Sequence, residues 1–197
     1  MKQGTFIVCG AILGGSKIVE DAIHAFISRN PGQGIKECKS TTFQRAQYAG
    51  FNLPQFSTMT GFLKEISGRA QLVDEKIKPA LKLGSVICEN WSISSRWDIS
   101  KQFPTEEQST LFAIEKMSHL GVEPDLTIFF DVNTAKAHAK LVRGNHKFPS
   151  DVEYFEEMRN FFIGDLEENY PGKFRILPAF GPQEEVNEGF SNLLADM

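Results

Sequence analysis

Apolar residues recur along this chain with two different periods, and the two alternate. Residues 5–9 form a short β-branched, apolar run, which predicts a strand buried on both faces of a parallel sheet. After a glycine turn, Val19, Ile23, Phe26 and Ile27 return at helical spacing, and the Asn-Pro-Gly run at 30–32 stops that helix. Residues 34–38 predict a weak second strand. Residues 41–55 are mostly polar, and Pro54 breaks any helix there. Phe62, Ile66, Leu72, Val73 and Ile77 then line one side of a long helix, which Pro79 and Gly84 close. Residues 85–88 predict a third strand ending on an acid, Glu89. Thr105, Glu106 and Glu107 open a helix with a capping threonine and an acidic first turn. Residues 125–131 are the clearest strand of all. A helix over 134–142 stops near Gly144, and 144–150 reads as a basic loop. An acid-rich helix over 151–169, a last strand over 174–177 and a closing helix over 184–194 complete the pattern.

Strands that alternate with helices predict an α/β fold built on a parallel sheet. Binding then belongs at the carboxyl ends of the strands. The turn after the first strand, Glu89 after the third and Asp131 after the fourth fall at that edge. With no linker, repeat or low-complexity tract, residues 1–197 read as a single domain.

Composition narrows the partners. Apolar residues make up 41% and charged residues 23%, the balance of a soluble globular chain. The net charge of −4 and the lack of an aromatic–basic motif argue against nucleic acid as a ligand. No apolar run spans a bilayer, and the start of the chain lacks a signal-peptide layout. Cys9, Cys38 and Cys88 have no metal-type spacing, and two of them, in apolar strand-like runs, read as small hydrophobes, which suits a reducing, cytoplasmic setting. Trp91 and Trp97 read as core residues, and His146 as exposed.

The chemistry starts at the first turn. A strand, a turn holding Gly14, Gly15 and Ser16, and a helix opening on Lys17 make a site for phosphate. Backbone N–H groups at the helix mouth point at the anion, and the lysine adds charge. The strict pattern G-x-x-x-x-G-K-[ST] is altered: Ala11 and Ser16 stand at its glycines, and Ile18 at its hydroxyl residue.

Beyond that turn the chain resembles the thymidylate kinases, which are P-loop nucleoside monophosphate kinases, and the resemblance runs nearly end to end. Residues 67–73 (Ser-Gly-Arg-Ala-Gln-Leu-Val) with 77–81, residues 123–132 around Pro-Asp-Leu, and the helix from Phe155 to Phe162 carry it. The resemblance implies a P-loop NTPase-like three-layer fold with a five-stranded parallel sheet and a lid-like loop at about 143–150. It implies phosphoryl transfer from ATP with Mg2+ to dTMP or a related deoxynucleoside monophosphate, and usually a homodimer. Such transfer needs phosphates held in line and their charge neutralised.

Residue by residue, Lys17 matches the P-loop lysine, and Arg143 with Lys147 supplies the lid's charge. Arg69 matches the arginine that contacts the acceptor base. Lys36 and Ser94 fall in acceptor-binding stretches. Glu89 stands at the aspartate of the family's Asp-Arg motif and would hold Mg2+ through water. Arg159 matches a helix arginine, for which an ion pair is an equal account, and Asp131 reads as a turn cap. Asn90 replaces the arginine of Asp-Arg, and Glu65 replaces the phenylalanine that stacks on thymine. Two readings follow: a divergent deoxynucleoside monophosphate kinase, or a catalytically degenerate kinase fold that binds nucleotide or a protein partner without turnover.

Overall fold

The computed structural model describes residues 2–13, 15–39, 59–143 and 151–195. Five strands form one parallel sheet: β1 (Phe6–Gly10), β2 (Lys36–Lys39), β3 (Val86–Glu89), β4 (Leu126–Val132) and β5 (Phe174–Ala179), in the order β2-β3-β1-β4-β5. Among the described residues the helices are α1 (Ser16–Arg29), α2 (Met59–Leu72), α3 (Lys78–Leu81), α4 (Ile93–Gln102), α5 (Thr105–Met117), α6 (Thr134–Arg143), α7 (Val152–Asn169) and α8 (Gln183–Ala195). A short 3-10 turn (Pro31–Gln33) precedes β2. This is a P-loop NTPase-like α/β architecture.

β1, β3 and β4 are buried along their whole length, as strands covered on both faces must be. Side chains alternate between the faces. On one, Phe6 and Val8 join Val86, Cys88 and Cys38 against Leu72, Val73 and Ile77. On the other, Phe130 meets Phe190 of α8, which also meets Phe26 of α1. All three cysteines are free and buried, and burial pushes the Cys9 and Cys88 thiols well up.

The Pro-Asp-Leu block has a visible structural use. Asp125 Oδ2 accepts the Phe6 N–H at 2.7 Å, and its own N–H donates to the Phe6 carbonyl at 2.8 Å. The acid thus fixes where β1 begins beside β4.

Between α2 and α3 the chain makes a π-helical turn (Val73–Ile77), in which the Lys78 N–H reaches back five residues to the Val73 carbonyl. The long helix expected there is therefore three windings joined end to end. The α4 helix was not expected. Ile93, Ser95, Trp97 and Ile99 are its buried positions, a spacing of two that hides a helix from a periodicity reading. Two expected caps are corrected. Pro104, not Thr105, stands at the N-cap of α5 and makes no side-chain bond. Asn133, not Asp131, closes the turn before α6, its Oδ1 accepting the Lys136 N–H at 2.9 Å.

Candidate active site

The first turn runs from Gly10 to Ser16. The Gly15 N–H donates to Ile12 O at 3.0 Å, and Gly15 O accepts Ile18 N–H at 2.9 Å, so α1 begins directly on the glycine. A Cβ at Gly15 would lie 2.6 Å from Ala11 Cβ, 3.1 Å from Ile12 O and 3.2 Å from Val132 Cγ1. Only a residue without a side chain fits between the turn and β4. Gly15→Ala is expected to cost about 1–3 kcal/mol by overpacking, read as a lower urea midpoint. A midpoint equal to the parent's would show that the turn yields freely.

Lys17 sits in the first turn of α1 with its side chain 62% exposed and its ammonium bonded to Asp21. That bond raises its pKa. Gly14 and Lys147 lie outside the described residues, as do the polar stretch 41–55 and His146. Arg143 is exposed at the end of α6.

At the neighbouring strand ends, Glu89 is buried and its carboxyl is pushed up, first by burial and then by Glu20, with Lys39 opposing. Lys39 bonds Glu20 and lies 3.6 Å from Glu37. The strand register decides between two lysines here. Lys36 pairs with Val86 at the amino end of the sheet, whereas Lys39 pairs with Glu89 at the carboxyl end. The structure thus brings Lys39, not Lys36, to the carboxyl edge of the sheet. Asn90 follows Glu89 with φ of 54°, a left-handed conformation that asparagine tolerates better than most residues.

Asp131 grips Arg159 of α7 with two bonds of 2.6 Å, a two-pronged ion pair that ties the end of β4 to α7. The ion-pair account of Arg159 is the one the geometry supports.

Arg69 lies on α2 and is buried, its side chain 3% exposed. Nη1 donates to Glu115 of α5 at 2.7 Å; Nη2 donates to Glu65 at 2.9 Å and to the Ser95 hydroxyl of α4. Ser95 also donates to Glu65. The phase of α4 points Ser95 inward and leaves Ser94 exposed, so Ser95 is the serine that meets Arg69. Glu115 also bonds His119 Nε2 at 3.0 Å. On α4, Asp98 faces this group; burial, then Glu65, raises its carboxyl to about 7. Sequence reasoning missed Glu115, Ser95 and Asp98. A separation of 46 positions between Arg69 and Glu115 leaves no local signal of their pairing.

Each of four cations near the strand ends and the α2–α4 face, Lys17, Lys39, Arg69 and Arg159, is matched by a carboxylate of this chain. Among the described residues no three His, Cys, Asp or Glu side chains come together in a way that could hold a metal ion. No helix of the described residues is long and apolar enough to cross a membrane.

No protein-family model matches the chain. Individual relatives do. The thymidylate kinase of Alteromonas mediterranea is 24% identical over 98% of this chain and 90% of its own length. That of Pseudoalteromonas translucida is 26% identical over 98% of this chain and 89% of its own. That of Alcanivorax borkumensis is 25% identical over 70% of this chain and 67% of its own. With its P-loop-like parallel sheet, the chain is a distant homologue of the thymidylate kinases over most of its length.

Proposed function

We propose that this protein is a deoxynucleoside monophosphate kinase that moves the γ-phosphoryl group of ATP to dTMP or a related acceptor. In that step the bond from γ-phosphorus to the bridging β-phosphate oxygen breaks, and a bond to an acceptor phosphate oxygen forms. The observation that carries this reading is the mouth of α1, which opens at the carboxyl edge of the sheet with Gly15 tightly held and Lys17 in its first turn. Backbone N–H groups there hold phosphate. Lys17, exposed, exchanges Asp21 for the donor phosphates. Arg143 and Lys147 would add lid charge, and two copies of the chain would pair as the resemblance implies.

Magnesium is part of the resemblance. Ile18 brings no side-chain oxygen to the start of α1, and Glu89, at the carboxyl end of β3, would hold the ion through water, as the resemblance implies. No step is derived through the metal.

The test is a coupled ADP-release assay with each common deoxynucleoside monophosphate. Turnover by the parent, with a loss of about 100-fold or more in Lys17→Ala, is expected from removing one preorganised charge at the transferred group. Because Lys17 is exposed, the variant should melt where the parent does. A Lys17→Ala enzyme as active as the parent would end this role for the lysine.

One observation favours a second reading. Each of the four cations already faces a carboxylate of this chain, which lowers the net positive charge that these four offer a polyphosphate. On that ground the chain binds nucleotide or a protein partner without turnover. A rise in melting point with ATP but no ADP release would select it.

A further inference from the structure

Two thiols at one edge of the sheet have no part in the chemistry above. Cys38 of β2 and Cys88 of β3 stand directly opposite one another in the strand register. Both turn to the same face of the sheet, where they pack in one cluster with Leu72, Val73 and Ile77. Neighbouring strands run about 4.7–4.9 Å apart, and the Cα atoms of a disulfide lie about 4.4–6.8 Å apart. The register therefore brings the two residues within reach of a disulfide, and both thiols are free. Cys9 is no rival. It lies on β1, opposite Glu89 rather than Cys88, and packs on the other face.

The two thiols differ in access. Among the described residues, β2 is an edge strand of four residues that bonds to β3 alone. Cys38 is 8% exposed there, whereas Cys88 is 0% exposed. Burial raises both thiols, Cys88 the more strongly; at Cys38, Glu37 adds to the rise and Lys76 opposes it. The thiolate is the form that reacts, so oxidation starts at Cys38 and is slow. Cys38 is the single buried side chain of β2, so this strand opens locally at lower cost than the core strands β1, β3 and β4.

We propose that Cys38 and Cys88 form an oxidisable dithiol, which a hydroperoxide closes into a disulfide between β2 and β3. The inference does not depend on kinase activity. In the first step the Cys38 thiolate attacks one oxygen of hydrogen peroxide. The O–O bond breaks, Cys38 becomes a sulfenic acid, and the hydroxide released takes up the proton that Cys38 had lost. In the second step Cys88 Sγ attacks Cys38 Sγ. The S–S bond forms, the S–O bond breaks, and the oxygen leaves as water with the Cys88 proton. Cys88 gives up a weak contact to the Glu89 carbonyl, 3.7 Å away. Two thiols are thus oxidised by two electrons, and one peroxide is reduced to two waters. A dithiol of this kind stays reduced in a reducing compartment and closes when peroxide rises.

The test treats the intact, folded protein with hydrogen peroxide at millimolar concentration. The remaining thiols are then alkylated in denaturant, and the protein is digested with trypsin without reduction. Cleavage after lysine and arginine puts the three cysteines on three different peptides, so mass spectrometry reads the pairing directly. The expected product is a single linked pair, Cys38 with Cys88, that dithiothreitol opens again, with Cys9 alkylated in full. Cys88→Ser should stop at a sulfenic acid on Cys38, which dimedone traps. Cys38→Ser should leave Cys88 alkylated in full, because the oxidant reaches Cys88 through Cys38. The proposal is overturned if Cys38 and Cys88 both stay alkylated after peroxide, if Cys9 enters the link, or if the link joins two copies of the chain. It is overturned equally if Cys88 is oxidised in Cys38→Ser. Should either variant fail to fold, the pairing found in the parent still decides.

Discussion

Replacing Arg69 with alanine is expected to cost about 3–5 kcal/mol of folding stability, because it breaks a buried ion pair and strands its partner. Glu115 is 2% exposed on its side chain and, among the described residues, would keep His119 as its side-chain partner. Glu65, 12% exposed, would keep Ser95. A domain with a total stability of about 5–15 kcal/mol loses a large share of it in this one change. Denaturation in urea would show a lower midpoint with an unchanged slope. The companion variant is Arg69→Met with Glu65→Met and Glu115→Leu. It should recover most of the loss, since replacing a buried charged group as a whole by apolar residues is often neutral. If Arg69→Ala costs less than about 1 kcal/mol, water reaches the carboxylates and the pair is not buried in solution.

Asp98 should make stability depend on pH in the direction opposite to most acids. Its carboxyl is raised from 3.8 to about 7 by burial and by Glu65, with Gln102 opposing. Between those two values the folded protein holds a proton that the unfolded chain has released. Stability therefore falls as pH rises through that window and is lowest above about 7. A shift of this kind is worth at most about 1.4 kcal/mol per pH unit across the window. Asp98→Asn keeps the shape and removes the charge. The variant should match the parent near pH 4 and exceed it increasingly toward pH 8. Urea midpoints at both pH values read the difference directly. A variant no more stable than the parent at pH 8 would place Asp98 in contact with water.

Fold and site were legible to different depths, for physical reasons. β1 and β4 announce themselves because a strand covered on both faces must be apolar throughout. Lys17 and Gly15 could be read because a turn before a helix needs small residues at fixed spacing. The phase of short polar elements could not. β2 has four residues, of which only Cys38 is buried, so nothing in its pattern chooses Lys39 over Lys36 for the ligand edge. In α4 the same ambiguity separates Ser95 from Ser94, one residue and about 100° of rotation apart. The partners of Arg69 and Arg159 lie 46 and 28 residues away. Complementary charges at that separation carry no periodic signature, so only the folded chain pairs them. Cys9 and Cys88 were easier, because a parallel strand covered on both faces leaves little choice but to bury them.

The π-helical turn after α2 shows how a single imino acid can set the direction in which distant side chains face. Eight residues of uniform α-helix, from Arg69 to Ile77, would turn through two full circles and about 80° more. Pro79 has no N–H to give, and its ring would press on the carbonyl of Glu75 four residues earlier. The wider winding relieves that pressure and takes up part of the excess rotation. Arg69 and Ile77 then both end inside the protein, one 3% and the other 0% exposed. The turn works like a shim in a screw thread: it changes the pitch over five residues so that the charged end of the helix and its greasy end seat together.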